Sequence, residues 1–144
     1  MISFVKGNIF DSEAEMLVNP VNTVGVMGKG LALEFKKRYP RMFEDYKIAC
    51  NQGLFYIGQL MICTEKDHRI LLFPTKKHWK YPSKIEYIES GLRAFVGVSK
   101  TMNISTIAFP PLGCGCGGLK WDDVKPLMEQ YLAPLPQITY IYCK

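Results

Sequence analysis

Two stretches of this sequence combine glycines and small polar residues at spacings that suit a bound phosphate. The first is Asn22-Thr23-Val24-Gly25-Val26-Met27-Gly28-Lys29-Gly30, which follows a short apolar run and leads into a helical pattern. Glycines at 25, 28 and 30 let the backbone bend sharply and approach a ligand closely. Free N–H groups at a helix start, together with the helix dipole, make an anion site. A plain turn needs one glycine, not three beside an Asn-Thr pair. The G-x-x-x-x-G-K-[ST] spacing of a Walker A loop is not met. The second stretch is Pro110–Gly118, again between a strand and a helix, and its glycines at 113, 115 and 118 satisfy G-x-G-x-x-G. A dehydrogenase fingerprint would open the first βαβ unit and be followed by an acid about 20 positions later, and neither holds here. Two such loops in one small chain suggest a ligand with two phosphates, gripped by backbone amides from both sides.

The third stretch is Phe73-Pro-Thr-Lys-Lys-His-Trp-Lys80. It leaves a strand, so Lys76 is expected at the sheet edge that carries the glycine loops. Neighbouring positive charge lowers a lysine pKa and raises its nucleophilic fraction. Trp79 offers a face for a base or sugar. The plainer reading is a phosphate- or DNA-contacting patch without chemistry. The net charge of +5 comes from 18 basic and 13 acidic residues. Arg69, Lys76, Lys77, Lys80 and Lys84 fall in a span with no acid, so the rest of the chain, with 13 of each sign, is neutral. That is the pattern of a basic face turned to an anion, or else of a solvated face.

Other residues have simpler readings. Asp122 and Asp123 stand where helix-start acids favour the dipole. Neither glycine loop holds a carboxylate, so the two-acid glycosidase scheme lacks carriers. Asn8 follows Gly7, where it either hydrogen-bonds a ligand or caps a turn. His68 falls in a polar turn. The five cysteines include no Cys-x-x-Cys pair, and Cys114-Gly-Cys116 reads as two small side chains in a tight loop. No metal site and no cofactor are expected.

The elements that must position these groups alternate along the chain. Strands are expected at Ile2–Val5, Met16–Asn19, Gly58–Thr64, Arg69–Phe73, Ser105–Phe109 and Ile138–Tyr142. Helices are expected at Gly30–Tyr39, stopped by Pro40, and at Arg41–Asn51, Lys84–Thr101 and Trp121–Leu132. Asp11–Glu15 reads as a helix start or turn. Strands separated by helices argue for a largely parallel sheet covered on both faces. The 144 residues make one domain. No stretch approaches the ~20 apolar residues of a membrane span, and the N-terminus lacks a signal peptide, which places the protein in the cytoplasm.

Val5-Lys-Gly-Asn-Ile-Phe10, Val18-Asn-Pro-Val-Asn22, the Val24–Gly30 loop and the late Gly113–Gly118 loop, in this order, resemble the macro domain family over essentially the whole chain. Within it, Asn19–Leu33, Phe73–Trp79 and Pro110–Gly115 are similar to the macro domains of DNA ADP-ribosyl glycohydrolase antitoxins. These are related to glycohydrolases that use a lysine at the position of Lys76. The resemblance implies a three-layer α/β/α fold around a mixed, mostly parallel six-stranded sheet. It implies ADP-ribose as ligand, and removal of ADP-ribose from thymidine bases of single-stranded DNA modified by a DNA ADP-ribosyltransferase toxin. An ADP-ribose reader without hydrolysis, and a hydrolase of ADP-ribosylated protein carboxylates, are the alternatives.

Carried over by position, Asn8 and Ile9 meet the adenine. Val24, Gly25, Val26, Met27, Gly28, Lys29 and Gly30 wrap the diphosphate and distal ribose, with Asn22 on that ribose. Gly113, Cys114, Gly115, Cys116, Gly117, Gly118 and Leu119 close from the other side. Asn19, Thr23, Thr75, Pro111 and Leu112 complete the ADP-ribose set. Lys77, His78, Trp79 and Lys80 contact DNA. Lys76 acts at the anomeric carbon, as a transient nucleophile or by positioning the ribose. The chain departs from the family twice. Asn8 replaces the usual aspartate, and Gly117 stands where the lysine-using glycohydrolases carry an aspartate.

Overall fold

The structure is a computed structural model that describes residues 1–143. Strands β1 (Ile2–Val5), β2 (Met16–Asn22), β3 (Met61–Glu65), β4 (His68–Lys76), β5 (Thr106–Phe109) and β6 (Ile138–Tyr142) form one sheet in the order β1-β6-β5-β2-β4-β3. Every neighbouring pair is parallel except the β3–β4 hairpin. Helices α1 (Gly30–Arg38), α2 (Pro40–Asn51), α3 (Ile85–Ser99) and α4 (Trp121–Leu132), with a 3₁₀ turn at Ile9–Asp11, complete the chain.

Side chains alternate across the pleat and divide the core in two. Leu17, Ile70, Leu72 and Ala108 bury against Phe35, Met42 and Tyr46 of α1 and α2. Val18, Leu71, Phe73, Ile107 and Phe109 bury against Ile88, Leu92, Phe95, Val124 and Met128 of α3 and α4. This is the expected α/β/α arrangement. Among the described residues no helix is long and apolar enough to cross a membrane.

Two strands run further than their sequences suggest. β2 continues through Pro20 to Asn22, and β4 continues through Pro74 to Lys76. Proline cannot donate to a ladder and normally ends or avoids a central strand. Here β5 pairs with β2 only at Met16 and Leu17, while β4 stays paired with β2 to its end. Beyond Leu17, β2 therefore has a neighbour on one side only, and fewer donors are required of it. The parting of β2 and β5 opens the sheet at its carboxyl edge. In an open α/β sheet that is where a ligand binds.

A cleft between two glycine loops

The carboxyl ends of β2, β4 and β5 share one edge, so the loops that leave them converge. They line a cleft of about 940 Å³. The floor is Pro20, Val21 and Asn22, and the walls come from both glycine loops and Lys76.

The first loop is braced by Asn22. Its Oδ1 accepts from the Val24 and Val26 N–H groups at 3.1 and 3.4 Å, and its Nδ2 donates to the Val26 carbonyl at 2.7 Å. The Tyr46 hydroxyl lies 2.7 Å from the same Oδ1, and burial raises its pKa above the ordinary phenol value. Asn22 thus spends most of its capacity holding the loop and keeps one N–H for a ligand. Gly25 has φ +83°, a left-handed conformation that residues with a side chain rarely adopt, so the turn there favours glycine. Lys29, at the N-cap of α1, makes no side-chain capping bond. The first N–H groups of α1 therefore open into the cleft beside Gly30 and Leu31, as an anion site requires.

The second loop is a compact turn. Leu119 donates to the Gly113 carbonyl at 2.9 Å, and Gly118 to Gly115 at 3.2 Å. The N–H groups of Gly115, Cys116 and Gly117 have no acceptor among the described residues. Successive unpaired amides of this kind form an anion-binding concavity. The loops touch where Cys116 meets Gly30, and a Cβ on Gly30 would lie 3.0 Å from its Sγ.

Lys76 ends β4 between these loops. Its Nζ donates to the Trp79 carbonyl at 2.9 Å and to the Cys116 carbonyl at 3.2 Å. Thr23 ties the first loop to the same segment through a 2.9 Å bond to the Lys77 carbonyl. Two bonds leave Nζ one free position, which is a lone pair in the amine and an N–H in the ammonium.

Asn8, Ile9, Asn22, Val26, Gly28, Lys29, Gly30, Thr75, Lys76, Trp79, Pro111, Leu119 and the Gly113–Gly117 run all line the cleft. Asn8 also caps the 3₁₀ turn, its Oδ1 accepting from Phe10 at 2.9 Å. Asn19, Met27 and Leu112 lie below the surface instead. The Asn19 amide points to the sulfurs of Met27 and Met42 at 3.8 and 3.7 Å, and Leu112 joins the α3–α4 core. Thr23, Val24, Gly25 and Gly118 shape the loops without lining the cleft, and Lys77, His78 and Lys80 stand outside it. Arg69 is at the opposite end of β4 from Lys76, about 23 Å away at strand rise, so the basic span is not one surface.

Sequence reasoning missed Leu31, Trp121 and Tyr142, which also line the cleft. Tyr142 ends β6, and a parallel sheet brings that end to the same edge. Trp121 begins α4 directly after the second loop. In both cases the signal was positional rather than chemical.

A macro domain model matches residues 18–128. The chain belongs to the macro domain family. It is 44% identical over 142 residues to a DNA ADP-ribosyl glycohydrolase of Mycobacterium tuberculosis, covering 96% of this chain and 40% of that protein. Its fold matches the macrodomain of Thermus aquaticus DarG with TM-score 0.94 at 42% identity, covering 100% and 99% of the two chains. It also matches Thermosipho africanus DarTG in complex with ADP-ribose, with TM-score 0.93 at 41% identity, covering 98% of this macro domain and 41% of that chain. The chain spans about 40% of the length of the curated DNA ADP-ribosyl glycohydrolases of Mycobacterium and Thermus that it matches.

Proposed function

We propose that this macro domain, as one unit over its 144 residues, is an ADP-ribosylglycohydrolase that removes ADP-ribose from thymidine bases of single-stranded DNA. It thereby reverses a DNA ADP-ribosyltransferase toxin as its antitoxin. The observation that carries the hydrolase reading is the position of Lys76, whose Nζ is held at the junction of both glycine loops, inside the cleft. The identity to a DNA ADP-ribosyl glycohydrolase and the ADP-ribose complex of a similar structure support the ligand and the substrate class.

The free amides of the two loops hold the diphosphate, and Asn22 and Gly30 stand by the distal ribose. The bond from the anomeric carbon to the thymine nitrogen breaks, its electron pair leaving with the base, which takes up a proton. The hydroxyl of a water molecule ends on the anomeric carbon. Lys76 serves either by bonding transiently to that carbon before water displaces it, or by holding the ribose where water attacks. Lys77, His78, Trp79 and Lys80 meet the DNA beside the cleft.

Incubation with a thymidine-ADP-ribosylated oligonucleotide is expected to restore the unmodified strand. Lys76→Ala is expected to lower the rate by about 10²-fold or more while ADP-ribose still binds. Binding of ADP-ribose with no release by the wild type would instead make the protein a reader. Faster release from modified protein than from modified DNA would make it a protein hydrolase.

A further inference from the structure

Between β4 and α3 the chain makes a tight turn beside the cleft. The Tyr81 N–H donates to the His78 carbonyl, and the Lys80 N–H to His78 Nδ1, both at 3.1 Å. The turn arranges three rings in a row. His78 lies between Trp79 and Tyr81, with ring centroids 5.1 and 5.5 Å away. Trp79 is 49% exposed and Tyr81 63% exposed. Beside them the ammonium groups of Lys77 and Lys84 sit 5.5 and 5.9 Å from the ring of Tyr87. Lys77, Lys80 and Lys84 make no salt bridge among the described residues, and the sequence has no carboxylate between Asp67 and Glu86.

The backbone that carries these rings is tied at three points. Lys76 Nζ holds the Trp79 carbonyl, Thr23 holds the Lys77 carbonyl, and the Ser83 N–H donates to the Gly117 carbonyl at 2.9 Å. A solvated lysine face has no use for half-exposed rings on a pinned turn. A protein partner is disfavoured because lysines are depleted from the cores of protein interfaces. Flat exposed rings interleaved with unpaired cations suit unpaired bases on a phosphate backbone. Trp79 fixes the direction, because it lines the cleft while Tyr81 does not.

We propose that Trp79, His78 and Tyr81, with Lys77, Lys80 and Lys84, are a stacking platform for the single-stranded DNA that flanks the base held in the cleft. Trp79 takes the nearest nucleotide and Tyr81 the next one outward. The assignment rests on the reading that the cleft acts on DNA. It adds Tyr81 and Lys84 to the interface.

The test uses an unmodified thymidine oligonucleotide and its duplex. In Trp121→Phe, Trp79 is the remaining tryptophan, and its fluorescence is expected to quench on adding the single strand. Tyr81→Ala is expected to weaken single-strand binding by about 5- to 150-fold, the effect of losing one stacked base, with ADP-ribose affinity and Tm unchanged. Tyr81→Phe is expected to bind as the wild type does. Equal binding of single strand and duplex, or unchanged affinity in Tyr81→Ala, overturns the platform and leaves the rings to a protein partner. Tyr81-dependent binding without release of ADP-ribose from modified DNA would support the platform and remove the hydrolase reading. Release with Tyr81-independent binding would do the reverse.

Discussion

A methyl group on Gly117 would lie 2.4 Å from both the Gly113 carbonyl oxygen and the Ser83 hydroxyl. One of these neighbours is backbone, which cannot swing aside as a side-chain tip can. The resemblance to the lysine-using glycohydrolases would put an aspartate here, and in this chain the Gly113 carbonyl leaves no room for its Cβ. The second loop therefore offers Lys76 no carboxylate. Gly117→Ala is expected to cost about 1–3 kcal/mol in thermal unfolding, the usual penalty of overpacking, and to weaken ADP-ribose binding as the loop shifts. Adding Ser83→Gly should return only part of the loss, since the Gly113 carbonyl remains. Stability equal to wild type in Gly117→Ala would show that the loop has slack. The absent carboxylate was readable from the sequence, but the reason for it was not, because Ser83 and Gly117 are distant along the chain.

At the scale of elements, the packing of α3 on β4 sets where Lys76 stands. Gly91 of α3 faces Phe73, and a Cβ there would approach the ring to between 2.2 and 2.9 Å. Replacing a mid-helix glycine by alanine normally stabilises by roughly 0.5–1 kcal/mol. The overpacking penalty of roughly 1–3 kcal/mol is the larger effect. Gly91→Ala is thus expected to destabilise the protein in chemical denaturation, against helix propensity. Because Phe73 precedes Lys76 by three residues on the same strand, release of ADP-ribose should fall even where the variant stays folded. A gain in stability would mean that Phe73 has another rotamer to occupy. Apolar periodicity made α3 legible, with Ile88, Leu92 and Phe95 all buried. The full lengths of β2 and β4 were not legible. Pro20 and Pro74 argue locally for strand ends, and the one-sided pairing that tolerates Pro20 exists only in the assembled sheet.

Across the molecule, burial of varying depth raises the pKa of three thiols, Cys50, Cys63 and Cys114. Burial first, then Asp45 and Glu65, push Cys63 up to about 11. Burial and then Asp123 push Cys114 up to about 11. Tyr39, Tyr46 and Cys50 shift in the same direction, chiefly through burial. An acid whose folded pKa is raised deprotonates first in the unfolded chain. Its stabilising effect is complete below the unfolded value, 9.0 for cysteine, and is lost as pH rises through the folded value. These groups should leave Tm level up to about pH 9 and lower it between about pH 9 and 11. Cys63→Ala should flatten that fall, and an identical fall in the variant would assign it to other groups.

The sequence alone determined the alternation of strands and helices, because hydrophobic period is a local property, and the two glycine loops, because backbone freedom is written in residue type. The family motifs follow from the same local signals. Tertiary structure decided what those loops are for one another. Parallel pairing carried the ends of β2, β4 and β5 to one edge, so that Lys76 bonds Cys116 across 40 residues of chain. It sank Asn19, Met27 and Leu112 beneath the cleft they were expected to line: the pleat of β2 turns Asn19 inward, and the paths of the two loops bury Met27 and Leu112 in the cores on the two faces of the sheet. It also divided the basic span, leaving Arg69 at the far end of β4 and turning Lys77, Lys80 and Lys84 outward beside the exposed rings. A strand has two ends, and the spacing of charges along a sequence does not say which of them face the same ligand.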